Sequence, residues 1–245
     1  MGYCSDKKVA DCFGGTTLPR YWSEMNTEKW KSFIEGYLVT VPIKRRTKKN
    51  GTLENKDIPK VNKSLADAVK AAFDEIAQNP NVAINNNTYF YGWRHMNSGN
   101  SSGNAYATIH CTACACDINH EVNKLHSKVG SEPDDEFRMR TTSHPIVQAF
   151  TKQGFAWGGT WKNKDAMHFE YSDSASGTIT LSSGDGFNSG ATNFGGGGGG
   201  GYVSPGKYTP VEWAPPNDGG KKSMKVDSKK KGTAGMIVGI HILQK

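Results

Sequence analysis

The sequence predicts a chain of mixed helices and short strands, with one enzyme-sized domain of roughly 120 residues set between less regular flanks. Three observations predict it. From Val61 to Gln78 the apolar residues Leu65, Val69, Ala72, Phe73 and Ile76 recur at helical spacing, which gives one buried face. Around this helix lie short runs rich in small and β-tolerant residues, among them LVTVPI, VAINNNTYFYGWRHM and ATIHCTACACDIN. Beyond Tyr171 the composition turns Ser/Gly/Thr-rich and includes seven consecutive glycines, Gly195–Gly201, which reads as a flexible linker.

The elements follow in chain order. Thr27–Tyr37 reads as a helix, and LVTVPI after it as a strand. The basic run KRRTKKNG that follows reads as a solvated loop. Ser64 is the expected N-cap of the long helix, and Asn79-Pro80 ends it, because proline disfavours helical geometry in the residue before it. VAINNNTYFYGWRHM reads as strand, turn, strand, and ATIHCTACACDIN as a buried strand or strand-turn. Ser143–Gln153 reads as a short helix with Ser143 as cap, Pro145 in the first turn and Gly154 at the end. FAWGGTWKNKDAMHFEY reads as a glycine turn leading into a strand. The division expected is an N-terminal segment 1–55, a catalytic domain 56–172, a Gly/Ser-rich linker 173–206 and a C-terminal tail 207–245, the last a candidate docking segment.

Bulk properties narrow the function only coarsely. The net charge of +7 and pI near 9.1 favour an anionic partner surface, and nucleic acid, an anionic membrane face and the bacterial wall all qualify. No run approaches the ~18 apolar residues of a membrane span. The opening MGYCSDKKVADCF lacks the apolar region of a secretory signal, and Asp6 breaks the myristoylation pattern. Five cysteines, three of them (Cys111, Cys114, Cys116) within six residues, argue for reduced thiols in a product made in the cytoplasm. A thiolate metal site would need Cys4 or Cys12 as well, both far away in sequence, so the three read as small buried fillers.

Hydrolysing an amide at neutral pH needs a strong nucleophile and stabilisation of charge on the carbonyl. A zinc ion with three protein ligands and one open position supplies both, and a carboxylate beside the water takes its proton. Two segments offer such groups. In one, His110 and Asp117 stand seven apart among small residues; in the other, Asp165 precedes His168 by three. Upstream, Tyr91-Gly92-Trp93-Arg94 contributes an arginine suited to gripping a carboxylate through two parallel hydrogen bonds.

In this order the three elements resemble the zinc D,D-carboxypeptidase and L-alanyl-D-glutamate endopeptidase family, which includes vancomycin-resistance dipeptidases and phage endolysins. The family's first metal motif, S-x-H-x-x-G-x-A-x-D, is met by Thr108, His110, Ala113, Ala115 and Asp117. Its second, an acidic residue three before a His and an aromatic, is met by Asp165, His168 and Phe169. The lead-in Trp157-Gly-Gly-Thr-Trp161 is similar to the endolysin branch, and the resemblance covers about residues 60–171. Thr108 keeps the hydroxyl of the usual Ser. Ala113 replaces the usual Gly and would be strained if that position needs positive φ.

The resemblance implies zinc held by His110, Asp117 and His168, with Asp165 passing the proton from the attacking water to the leaving amine. It implies that Arg94 anchors a substrate carboxylate or steadies the oxyanion. It implies an α+β fold of the Hedgehog/D,D-peptidase kind, with helices on a small antiparallel sheet. Bacterial peptidoglycan stem peptides are the implied substrate. With no signal segment read in the opening residues, the expected setting is a phage endolysin or virion-associated lysin, made in the host cytoplasm and acting at the wall. The tail is a candidate contact to virion proteins, and no nucleic-acid partner is expected. The competing reading is a structural virion component that keeps the fold without turnover. Glu170 is the reserve carboxylate for Asp165. His95, His120, His126 and His144 read as surface residues or neighbours of the ligands, and Trp157 and Trp161 as packing.

Overall fold

The computed structural model describes residues 1–85, 88–96, 105–125 and 135–182. The linker's glycine run, the tail 207–245 and His126 lie outside the described residues. Within them the fold is α+β. Helices α1 (Lys7–Asp11), α2 (Trp22–Met25) and α3 (Glu28–Glu35) lead into the antiparallel hairpin β1 (Leu38–Arg45) and β2 (Glu54–Asn62). Helix α4 (Ala66–Gln78) follows, then the strand β3 (Ala115–Asp117), helix α5 (Pro145–Lys152) and strands β4 (Ala156–Trp157) and β5 (His168–Glu170). The second sheet is antiparallel in the order β3-β5-β4.

The apolar stripe of α4 is buried as its periodicity predicts, with Val69, Ala72 and Phe73 fully enclosed. The Phe73 ring meets Phe150 of α5 edge-on at 5.5 Å, and Phe150 in turn lies 4.9 Å from Phe169 of β5. Burying each such ring contributes about 1.5–3 kcal/mol, so this file of three phenylalanines ties both helices to the middle strand of the sheet. The same core takes Val9, Cys12 and Phe13 from the N-terminal segment, and Ile179 from the stretch read as linker.

Four local expectations are corrected. The basic run is no loop at its start: β1 continues to Arg45, which is buried and donates to Glu54 Oε1 at 2.7 and 2.8 Å and to the Asn85 carbonyl at 2.9 Å. Its neighbour Arg46 donates to the carbonyls of Ala77 and Asn79, so a cation satisfies the open end of α4. Ser64 does not cap α4, because β2 runs to Asn62 and a 3-10 turn, Lys63–Leu65, intervenes; Asn62 Oδ1 caps that turn by accepting from the Ser64 amide at 3.0 Å. The cap of α5 is His144 rather than Ser143, its Nδ1 accepting from the Ile146 amide at 3.2 Å. Between α4 and β3 the expected strand pair is reduced, among the described residues, to isolated bridges such as Tyr89 with Asp117 and His95 with Ala107.

No helix among the described residues is long and apolar enough to cross a membrane.

Candidate metal centre

The three-stranded sheet builds the site by register. Alternate residues of a strand point to opposite faces, so His168 and Glu170 share one face of β5 while Phe169 turns into the core. Antiparallel pairing sets Asp117 of β3 directly opposite His168, which brings two side chains on one face within contact distance. The third member comes from a 3-10 turn, Ile109–Thr112, that carries His110 up to the same face. That turn ends at Ala113 with φ 53° and ψ 22°, the left-handed geometry that glycine adopts without strain. Here the family-motif position does require positive φ, and an alanine occupies it.

All three side chains are buried, and their ligand atoms converge. His168 Nδ1 lies 3.0 Å from Asp117 Oδ1, His110 Nε2 lies 3.3 Å from the same oxygen, and the two nitrogens are 3.2 Å apart. A tetrahedral zinc with ligands at about 2.0–2.1 Å needs donor atoms about 3.3 Å apart. The observed triangle fits that requirement. Lone pairs crowded this closely also need a cation among them, whether a proton or a metal.

The surroundings fix which nitrogens face inward. His110 Nδ1 donates to the Phe90 carbonyl at 2.9 Å, and His168 Nε2 donates to Glu170 Oε2 at 3.1 Å. Each leaves the other ring nitrogen for the centre. Burial opposes ionisation of Asp117, but hydrogen bonds and charge from His110 and His168 outweigh it and hold the carboxyl well below its ordinary range. Burial likewise opposes protonation of His168, yet the carboxylates of Asp117 and Glu170 override it and raise its pKa to about 10. Glu170 is held at about 2, its burial outweighed by His168, Ser174 and Ser172. A metal bound there would compete with a proton for the inward nitrogen of His168.

Asp165 is buried at the start of the turn that delivers His168, its carbonyl accepting from the His168 amide at 3.1 Å and its amide donating to Gly158 at 2.9 Å. The Trp-Gly-Gly lead-in has a packing cause, since a Cβ on Gly158 would stand 2.4 Å from the Asp165 carbonyl oxygen. Trp157 is core, donating Nε1 to the Ala166 carbonyl at 2.8 Å, whereas Trp161 lies with its ring 5.5 Å from that of His168. Arg94 is half-buried, and its carbonyl accepts from the Thr108 amide at 3.2 Å, which ties it to the His110 turn. Glu170, the reserve base in the sequence reading, is instead spent on the outer nitrogen of His168.

Tyr89 was not singled out from the sequence. Its ring packs 5.3 Å from that of His110, its backbone exchanges two hydrogen bonds with that of Asp117, and both Asp117 and Arg94 bear on its hydroxyl. Burial first, then Asp117, pushes its pKa up to about 12 against the pull of Arg94. The available signal was its position in the run Tyr89-Phe90-Tyr91 just ahead of Gly92 and Arg94. The thiols make no second centre: His110, Asp117 and His168 are the one group of potential ligands that converges among the described residues. All five cysteines are free and buried.

Residues 101–171 match the family model described as D-alanyl-D-alanine carboxypeptidase. The stretch contains His110, Asp117, Asp165 and His168 and begins after Arg94, so the resemblance read from the two metal motifs is borne out over this part of the chain. The match supports a hydrolase of the peptidase kind, and the buried His110–Asp117–His168 group could hold a metal ion. Searches of curated proteins and of solved structures find no match.

Proposed function

We propose that this chain is a zinc-dependent peptidase that hydrolyses peptidoglycan stem peptides, of the L-Ala–D-Glu endopeptidase or D,D-carboxypeptidase type. The observation that carries the reading is the convergence of His110 Nε2, Asp117 Oδ1 and His168 Nδ1 at 3.0–3.3 Å inside a segment matched to a peptidase family. Zinc in this triangle would supply Lewis acidity and an activated water. His110, Asp117 and His168 are the residues that would hold it. Asp165, three residues before His168, takes the proton from the attacking water and returns it to the leaving amine. Arg94 and the Tyr89 hydroxyl, next to Asp117, supply positive charge and a hydrogen-bond donor for the substrate carboxylate or the developing oxyanion. The biological setting we favour is a phage endolysin or a lysin carried in the virion, with the tail as its contact to the particle.

Purified protein incubated with peptidoglycan, with and without a chelator, tests this when the released fragments are read by mass spectrometry. Chelator-sensitive release is expected, falling by about 10²–10⁴-fold in Asp165→Ala, with fragment masses that name the bond. Folded, zinc-loaded protein that releases nothing would refute turnover and favour the structural virion component.

A further inference from the structure

Glu170 is fully buried, and its bond to the outer nitrogen of His168 is one of several that hold it. Its carboxylate collects four hydrogen bonds. Oε2 accepts from His168 Nε2 at 3.1 Å, and Oε1 accepts from the Gly2 amide at 2.6 Å, from Ser172 Oγ at 2.9 Å and from Ser174 Oγ. Three of its four donors crowd onto Oε1, where a carboxylate oxygen has two lone pairs, and they come from the N-terminal segment and from the stretch just beyond β5.

An imidazole presents one ring nitrogen as an acceptor only when the other carries the proton, and a hydrogen bond from that other nitrogen decides which is which. On His168 the nitrogen turned to Glu170 is Nε2, and the one turned to Asp117 and His110 is Nδ1. We propose that Glu170 is a positioning residue for the metal centre, clamped by the Gly2 amide, so that the N-terminal segment sets the orientation in which His168 offers Nδ1 to a metal. This rests on the metal reading of the His110–Asp117–His168 group.

The N-terminal segment is secured for that task. Asp173, three residues beyond Glu170, accepts from the amides of Lys7 and Lys8 at 3.0 Å each, at the open start of α1. Asp6 Oδ2 accepts from the Tyr3 amide at 3.1 Å and the Asp173 amide at 3.3 Å. Gly2 itself has no room for a side chain: a Cβ would stand 2.2 Å from Ser172 Cβ and 2.3 Å from Ser172 Oγ. Residue 2 thus reaches Glu170 by its amide only because it is glycine.

The test reads metal binding, apart from catalysis. Zinc affinity is measured by competition with a chromophoric chelator, and the geometry of the centre by the visible spectrum of the cobalt-loaded protein, in wild type, Glu170→Gln, Gly2→Ala and Ile43→Val. Glu170→Gln puts an NH₂ group against at least one donor and removes the charge, and is expected to weaken zinc binding 10–100-fold and to alter the cobalt spectrum. Gly2→Ala, which keeps every side chain of the centre, is expected to move both readouts the same way by a smaller amount. Ile43→Val trims the core beneath the other sheet, the β1–β2 hairpin, and is expected to move neither, which separates positioning from general destabilisation. Wild-type affinity and spectrum in both Glu170→Gln and Gly2→Ala would overturn the proposal while leaving the metal reading intact. Failure of wild type to bind zinc would overturn the metal reading, and this proposal with it.

Discussion

Ala113 closes the turn that carries His110, and its left-handed backbone has a cost that a matched pair of substitutions isolates. Ala113→Gly and Ala115→Gly each remove one fully buried methyl, a loss of about 0.8 kcal/mol. Each also frees the unfolded chain by about 0.4–1 kcal/mol. Together these terms destabilise by about 1–2 kcal/mol at either site. Only Ala113, with φ 53° and ψ 22°, carries the left-handed penalty, about 1–2 kcal/mol for a residue with a Cβ. Glycine at 113 relieves it, so Ala113→Gly should be near neutral while Ala115→Gly loses the full amount. Urea unfolding of the metal-free proteins measures both. In a thermal scan the gap between the two variants should be about 2–8 °C, given 2–4 °C per kcal/mol at this chain length. Equal losses at the two positions, or a larger one at 113, would refute the strain argument.

Two further outcomes are expected. Zinc at a hundred times its dissociation constant should stabilise the protein by about 2.7 kcal/mol, seen as a rise in midpoint that chelator reverses; a His168→Ala variant with the same rise would show that the ion binds elsewhere. His144 has its pKa lowered to about 4, by burial first and then by Lys49. A histidine depressed in the folded state contributes stability that is complete above its unfolded value near 6.5 and is lost as pH falls towards 4, a total of at most about 3 kcal/mol. His144→Asn keeps an acceptor at the cap of α5 without titrating, so its urea midpoint should fall less than wild type's between pH 7 and 4.5; parallel falls would sink the assignment.

Much of the site was legible because its parts are local. The alternation His168-Phe169-Glu170 declares one face for chemistry and one for the core, and small residues from Ala113 to Cys116 suit a strand packed hard against it. The union of His110, Asp117 and His168 came from resemblance, since no spacing rule pairs residue 117 with 168; register does that, and register is a property of the folded sheet. β2 was missed because ENKDIPKVN has few inward apolar residues and a proline, and it is a strand chiefly through its pairing with β1. Arg45 looked like one more charge in a basic run, and only Glu54 and the Asn85 carbonyl make it a buried residue. The Gly2–Glu170 contact spans 168 positions and leaves no local trace.

The five buried thiols make the protein its own clock. A thiol reacts as the thiolate, and here burial first of all raises Cys4 and Cys116 well above their ordinary pKa and takes Cys111 to about 11. An alkylating reagent in excess therefore marks only what has opened. Cys4 and Cys12 sample the N-terminal segment, Cys111 and Cys114 the turn that carries His110 and its exit, and Cys116 the sheet behind it. The order in which they are marked would give the order in which those parts come loose, and the same series with metal present would show how far its grip extends.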